Sequence, residues 1–117
     1  MTAMEVALLA ATIGCVLANG FEVAAKAVGA QFVLRNCAEV GVDRKWIRYL
    51  AVLEGAGVAG LTLGLAGVPI IGPAAALGLV AFFVGAVLVH LRQRVLHNLA
   101  FPLAFLLLAV ASVAHFA

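Results

Sequence analysis

The stretch AVLEGAGVAGLTLGLAGVPIIGP, residues 51–73, decides the architecture of this chain. It starts as a run of apolar and small residues, and it ends in the Gly/Pro segment AGVPIIGP at residues 66–73. A bilayer core needs about 20 mostly apolar residues per helix, and clustered Gly and Pro residues mark a turn. The stretch therefore predicts two membrane helices joined by a short turn. Its single charged residue is Glu54, and a carboxylate at that place needs an explanation.

The composition of the whole chain agrees with a membrane location. The 117 residues are 67% hydrophobic and only 10% charged, with a mean hydropathy of +1.24. A soluble domain is nearer half apolar and a quarter charged. We therefore expect a membrane domain rather than an ordinary soluble globule. The net charge of +2 comes from scattered basic residues, so no nucleic acid is expected as a partner.

Four hydrophobic segments fill almost the whole chain, at about residues 4–27, 46–67, 71–91 and 98–116. They predict an all-α fold, a polytopic membrane four-helix bundle that forms one four-span domain over residues 1–117. Glu5 stands where a signal peptide would carry a basic residue, so we expect the first segment to be retained. The connection at about residues 28–45 is amphipathic and is either a short interfacial helix or an extension of the first helix.

The basic residues predict the orientation in the membrane. In a four-span chain they all fall on one side, while the termini and the 66–73 turn fall on the other. The positive-inside rule then places both termini outside and the basic loops in the cytoplasm, in the inner (plasma) membrane. The seven residues are Lys26, Arg35, Arg44, Lys45, Arg48, Arg92 and Arg94.

Small residues recur every fourth position in the second and third segments. Such spacing lets helix backbones approach closely in lipid, so we expect tight packing of these two helices. The positions are Ala56, Gly60 and Gly64 in one helix, and the two pairs Ala74 with Gly78 and Ala81 with Gly85 in the other.

Glu54 lies eight residues past Trp46, which is about 12 Å into the membrane at 1.5 Å per residue. An acid at such depth costs about 2.5–3.5 kcal/mol on insertion scales, so we expect it to face the bundle interior with polar partners. Three helices place polar groups in the same half of the bilayer. The candidates are Asn19, Glu22 and Lys26 on one face of the first helix, and His90, Arg92 and Arg94 at the end of the third.

These residues suggest acid/base chemistry on a lipophilic molecule. A neutral Glu54 can donate a proton to a carbonyl, epoxide or quinone oxygen, His90 can return it, and Lys26 can stabilise developing negative charge. We therefore take Glu54, His90 and Lys26 as candidate catalytic residues, with Asn19, Glu22 and Arg92 as candidate substrate-binding residues. The alternative for each is structural: ion pairs of Glu54 and Glu22, an interhelical hydrogen bond of Asn19, and interfacial anchoring of Arg92.

The two cysteines predict neither a disulfide nor a metal site. Cys15 falls in the first helix and Cys37 in the connection after it, so they do not form a CxxC pair. The histidines do not form a haem ligand pair at a convincing depth, because His90 and His115 lie near opposite surfaces and His97 falls in a connection. No metal is expected.

The pattern LEGAGVAGLTLGLAGVPIIGP followed by GAVLVHLRQR, with GVDRKWIRYL before it, resembles small DoxX-like integral membrane proteins over about residues 20–95. The resemblance implies a four-helix membrane bundle. Some relatives are linked to quinone-dependent sulfur oxidation or to thiol redox complexes, so a quinone is the candidate cofactor. Glu54, His90, Arg92 and Lys26 match polar positions of the family. The missing CxxC argues against dithiol chemistry in this chain.

Three functions follow from these observations. The first is a membrane enzyme or redox subunit, either an isomerase or hydrolase or a quinone-linked oxidoreductase, that binds a lipophilic small molecule in a cytoplasm-facing polar pocket. The second is a small proton-coupled multidrug-type transporter, against which stands the position of Glu54 in the second span. The third is a structural subunit of a membrane redox complex. Candidate partners are membrane lipid, the lipophilic ligand, and a second copy of the chain in a homodimer.

Overall fold

The computed structural model describes all 117 residues, which form five α-helices and no strand, with 81% of the chain helical. The predicted all-α fold is confirmed. The helices are α1 (Ala3–Ala27), α2 (Gln31–Glu39), α3 (Ile47–Leu65), α4 (Ile71–Arg92) and α5 (Ala100–Phe116), with a 3-10 turn at Arg44–Trp46 before α3.

Three helices are long and apolar enough to cross a membrane: α1, α3 extended by the 3-10 turn, and α4. Helix α5 has 17 residues and is the most apolar of the four long helices, but its length lies at the lower end of the range for a membrane span. That all four long helices span the membrane therefore stays a prediction, whereas their packing into one bundle is observed.

Helix α1 begins with a capping box. The Glu5 amide donates to the Thr2 hydroxyl at 3.1 Å, and the Thr2 amide donates to the Glu5 carboxylate at 3.3 Å. These bonds satisfy backbone N–H groups that the first turn of a helix leaves free. Glu5 thus has a local structural role at the start of α1.

The amphipathic connection is a separate helix rather than an extension of α1. Helix α1 ends at Ala27, and Gly29 takes a φ of 67°, a left-handed conformation that breaks the helix before α2 begins. Val33 of α2 is buried against Ala25 and Ile47, so α2 packs across the junction between the end of α1 and the start of α3.

Glycines bring α3 and α4 into close contact. A Cβ at Gly60 would lie 2.5 Å from the Ala75 Cβ, and a Cβ at Gly64 would lie 2.5 Å from the Gly72 Cα. These two positions were expected at the interface. The third is Gly57, whose added Cβ would meet Leu79 at 2.6 Å, rather than Ala56, which is exposed.

On α4 the predicted small residues have a different surrounding. Gly78 and Gly85 have no atom of the chain within 4 Å of an added Cβ, so they do not pack against α3. The expected stripe on α4 therefore faces away from the bundle. The reason is that the two helices approach most closely at Gly72 and Ala75, which lie on a different face of α4.

The four long helices form a ring in the order α1, α3, α4, α5, and each packs against the helix before and after it. The centre of the bundle is a cluster of six buried residues, which are Cys15, Leu61, Ala76, Leu79, Phe83 and Ala109. Phe116 packs against Gly64 and Gly72, which places the end of α5 beside the α3–α4 turn.

The opposite end of the bundle carries all seven Lys and Arg residues, and we call it the basic end. It contains the end of α1, all of α2, the start of α3 and the end of α4. His97, between α4 and α5, bonds to Glu39 at the end of α2, so the two long connections meet there. The predicted segregation of basic residues is therefore present in the fold.

Candidate functional site

The polar centre of the bundle is an ion pair between α1 and α3. The Lys26 ammonium donates to Oε1 of Glu54 at 2.7 Å and lies 3.6 Å from Oε2 of Glu22, one turn earlier on α1. The helices bring these groups together because α1 ends, and α3 begins, at the basic end, so that Gly55 lies level with Val23. Lys26 thus contacts two carboxylates from two helices.

Burial differs sharply among the three side chains. Glu54 is fully buried, whereas the Lys26 side chain is 11% exposed and the Glu22 side chain is 26% exposed. Oε2 of Glu54 is also buried, and it accepts no hydrogen bond from the protein. A buried carboxylate oxygen without a donor is costly, since burial removes its contacts with water. Glu54 therefore retains an unused bonding position inside the bundle.

Asn19 provides a second such position on the same face of α1. Its Nδ2 donates to the Cys15 carbonyl at 2.8 Å and lies 3.4 Å from the Cys15 sulfur, while its Oδ1 is buried without a donor. The predicted interhelical hydrogen bond of Asn19 does not form, because the amide bonds to its own helix. Asn19 lies about 10 Å deeper than Lys26 along the helix axis.

Three further buried polar residues were not proposed from the sequence. Thr12 and Cys15 continue the face of Asn19 and Lys26 on α1, and Ser112 of α5 lies near the Cys15 thiol. Both hydroxyls donate to carbonyls of their own helices, Thr12 to Leu8 at 2.7 Å and Ser112 to Leu108 at 2.8 Å. The spacing 12, 15, 19, 22, 26 marks one helical face and was the available signal.

The two candidates on α4 lie apart from this pair. His90 is half-buried, and its Nδ1 lies 2.8 Å from the Ala86 carbonyl of its own helix. Arg92 is exposed in the last turn of α4 and forms no ion pair. Both residues lie at the basic end, but no hydrogen bond or ion pair joins either to Glu54, and their proposed roles stay predictions.

A groove of about 830 Å³ runs between α1, the α1–α2 connection and α3 at the basic end. Lys26 lines it together with apolar residues of both helices, such as Val23 and Ala51. Ligand sites commonly have volumes of about 300–1,000 Å³ and mostly apolar walls with a few polar groups. The groove thus connects the outside of the bundle with the cation that binds Glu54.

Cys37 of α2 lies beside this region, and its thiol is free. Burial raises the pKa of the Cys37 thiol, and nearby Glu22 acts in the same direction, whereas nearby Lys26 opposes the shift. The thiol is therefore a poor nucleophile near neutral pH. No group of three or more His, Cys, Asp or Glu side chains lies together as a metal site would require.

Lys26 lies next to the apolar wall of the groove, and Glu54 is buried behind it in the bundle. Lys26 can donate to an oxygen of a bound molecule, and Oε2 of Glu54 can accept or, in the neutral acid, donate a proton. Such groups support proton transfer and oxyanion stabilisation.

A model of the DoxX-like family matches residues 9–112 of the chain, which include Lys26, Glu54 and the other side chains of the candidate site. No curated protein and no solved structure matches the chain. Together with the long apolar helices, the family match establishes that this is a membrane protein.

Proposed function

We propose that this chain, which belongs to the DoxX-like family, binds a lipophilic small molecule at the Lys26–Glu54 pair and exchanges protons with it. One observation carries the proposal. Glu54 is fully buried, and only one of its two oxygens has a donor. A carboxyl group that served only as an ion-pair partner would gain more from bonds to both oxygens. The free oxygen suits a ligand that offers a hydrogen-bonding group.

A quinone fits the residues around this pair. Lys26 would hold a quinone oxygen, and apolar residues such as Val23 and Ala51 of the groove would contact its ring and tail. A bound quinone would supply two-electron, two-proton chemistry. The chain's own contribution would be to orient the oxygen and to hold a proton at Oε2 of Glu54. We assign His90 to proton return and Arg92 to capture of negative charge at the basic end, with Asn19 and Glu22 as polar lining.

The orientation belongs to the same proposal. We place the chain in the inner (plasma) membrane, with the basic end on the cytoplasmic side and both termini outside. The reason is that Lys and Arg concentrate on cytoplasmic loops. The ligand would then reach Lys26 from the cytoplasmic leaflet.

Proton-coupled transport is the second candidate, and the buried polar face of α1 favours it. Thr12, Cys15 and Asn19 carry polar atoms from the Lys26 level toward the other end of the bundle. One contact argues against export of cations: the Lys26 ammonium lies 2.7 Å from Glu54, so the carboxylate that would bind a cation is already neutralised. Proteoliposomes with an imposed proton gradient would separate the two: transport predicts substrate flux that collapses the gradient, and Glu54→Gln should abolish it.

The proposed binding can be tested by fluorescence. Trp46 is the only tryptophan and lies at the basic end, so a bound quinone should quench its emission. In nanodiscs of one lipid composition, we expect saturable quenching by a short-tailed benzoquinone. Glu54→Leu should weaken it by about 10- to 100-fold, the equivalent of one charge-assisted hydrogen bond. Glu5→Gln is the matched control, since Gln also completes a capping box.

Equal affinities of the Glu54→Leu variant and the wild-type chain, with helicity preserved, would contradict the proposal. Screening the same two proteins against carbonyl and epoxide analogues then assigns the ligand class. If the protein converts one of these ligands, Glu54→Gln should abolish the conversion while the chain stays folded.

A further inference from the structure

The groove beside Lys26 contains a cluster of positive charge without a carboxylate among its lining residues. Lys26, Arg44, Lys45 and Arg48 line it. Lys26 is committed to Glu54 and Glu22, but the other three are exposed and form no ion pair. They lie within five consecutive residues at the start of α3, because the 3-10 turn capped by Asp43 leads directly into that helix. We call Arg44, Lys45 and Arg48 the groove cations.

The walls of the groove are apolar and open onto the lipid-facing surface. Val28 is 79% exposed and Val52 is 66% exposed, and both line the groove beside the buried Ile47. Tyr49 is also exposed there, and aromatic residues of this kind are enriched at the membrane interface. The groove therefore lies where a lipid headgroup meets the top of its acyl chains.

We infer that the groove binds the headgroup phosphate of an anionic phospholipid, with the upper part of an acyl chain against Val28 and Val52. Charge complementarity carries the inference: three cations without an ion-pair partner line a groove that no carboxylate lines. Arg is suited to bind phosphate through two parallel hydrogen bonds. A soluble anion would satisfy the cations, but it would leave the exposed valines without a contact.

The inference does not rest on the ligand proposed for Glu54, because the two molecules would use different parts of the groove: the quinone the wall at Val23 and Ala51 beside Lys26, and the lipid the wall at Val28 and Val52. The lipid headgroup would use the three groove cations, which the Lys26–Glu54 pair does not need. An anionic lipid in this position would hold α2 and the start of α3 together, because Leu34 of α2 and Ile47 of α3 both line the groove.

The test compares two triple variants that remove the same charge from the same end of the bundle. One replaces the groove cations, Arg44→Gln/Lys45→Gln/Arg48→Gln. The control replaces three exposed basic residues outside the groove that also lack ion pairs, Arg35→Gln/Arg92→Gln/Arg94→Gln. Native mass spectrometry measures how much phosphatidylglycerol each protein retains from mixed micelles against phosphatidylcholine.

We expect the wild-type chain and the control variant to retain phosphatidylglycerol selectively. The groove variant should lose about 100-fold in apparent affinity, at about fivefold per basic residue near a lipid headgroup. Equal losses in both triple variants would mean general attraction to the basic end and would overturn the inference. The inference would also be overturned if inorganic phosphate displaced phosphatidylglycerol as effectively as added phosphatidylglycerol does, because the groove would then bind a soluble anion.

Three further variants keep the result interpretable. The single variants Arg48→Gln and Arg92→Gln repeat the comparison if the triple variant of the groove fails to fold, with a fivefold loss expected only in the first. Glu54→Leu should retain the lipid preference, so a failure of the function proposed for Glu54 would leave the lipid result unchanged. Loss of lipid selectivity in Glu54→Leu would overturn the independence of the two sites.

Discussion

Replacing Lys26 by Met should destabilise the bundle more than any other single change to a charged residue. Met keeps the length and apolar stem of the side chain but removes the ammonium that binds Oε1 of Glu54. At an effective dielectric constant of about 20, two unit charges 2.7 Å apart attract by about 6 kcal/mol before desolvation is counted. Loss of one partner of a buried pair costs about 3–5 kcal/mol. We expect a loss in this range, because Oε1 is then buried without a donor, as Oε2 already is.

The reverse change should cost less. Without Glu54, Lys26 still has Glu22 at 3.6 Å, and its side chain is partly exposed. Glu54→Leu also replaces a buried polar group by an apolar one. In the double variant Lys26→Met/Glu54→Leu no buried charge remains, so its stability should return to within about 1–2 kcal/mol of the wild type.

The free energy of unfolding can be measured by titration with SDS in mixed micelles, with helicity as the signal. Lys45→Met is the matched control, because Lys45 is the only other lysine, is exposed and forms no ion pair. Its loss should stay below about 1 kcal/mol, the value of an exposed contact with Trp46. The reasoning is refuted if Lys26→Met costs no more than Lys45→Met, or if the double variant is as unstable as Lys26→Met alone.

Gly60→Ala should lower the free energy of unfolding by about 1–3 kcal/mol in the same titration, because its Cβ would lie 2.5 Å from the Ala75 Cβ and would force α3 and α4 apart. Gly78→Ala is the control and should be neutral or stabilising, because the space around Gly78 is open. A Gly60→Ala variant as stable as wild type would contradict the tight α3–α4 contact. Cys37 should react with a maleimide more slowly than a free thiol at pH 7, and its rate should still rise with pH above the ordinary thiol pKa, since burial raises the pKa of Cys37. Cys15 is fully buried and should stay unmodified in the folded protein, so labelling of Cys15 before Cys37 would be inconsistent with the fold. Thr2→Ala removes the hydroxyl of the capping box and should lower stability by about 1 kcal/mol, whereas an unchanged stability would mean that the start of α1 contributes nothing to folding.

Sequence reasoning located the long helices because membrane length and hydropathy are properties of the chain itself. The α3–α4 turn falls at the predicted Gly/Pro segment, and the helix bounds differ from the predicted ones by a few residues. The segregation of basic residues also follows from the sequence, since consecutive antiparallel helices place alternate connections at the same end. The sequence does not decide whether the segment of α2 is a separate helix or a continuation of α1, because amphipathic periodicity is the same in both cases. Gly29 at φ 67° decided between them.

The candidate site was predicted only in part, and the physical reason is rotation of the helices about their axes. A sequence shows that Lys26, Glu22 and Asn19 share a face, but not which neighbouring helix that face meets. Packing turned this face toward α3, where Lys26 meets Glu54, while His90 bonds to a carbonyl of its own helix.

The sequence by itself determined that this is an all-α membrane chain with one deep carboxylate and a basic end. Hydropathy, turn residues and charge positions are local quantities, and the bilayer acts on them directly. Only the tertiary structure decided that Lys26 donates to one oxygen of Glu54 and leaves the other free, that Asn19 bonds within α1, and that a basic groove opens beside the pair. Those facts depend on distances of a few ångströms between separate helices. The close approach of helices, set by residues such as Gly60 and Gly64 at the α3–α4 contact, fixes such distances, and hydropathy does not.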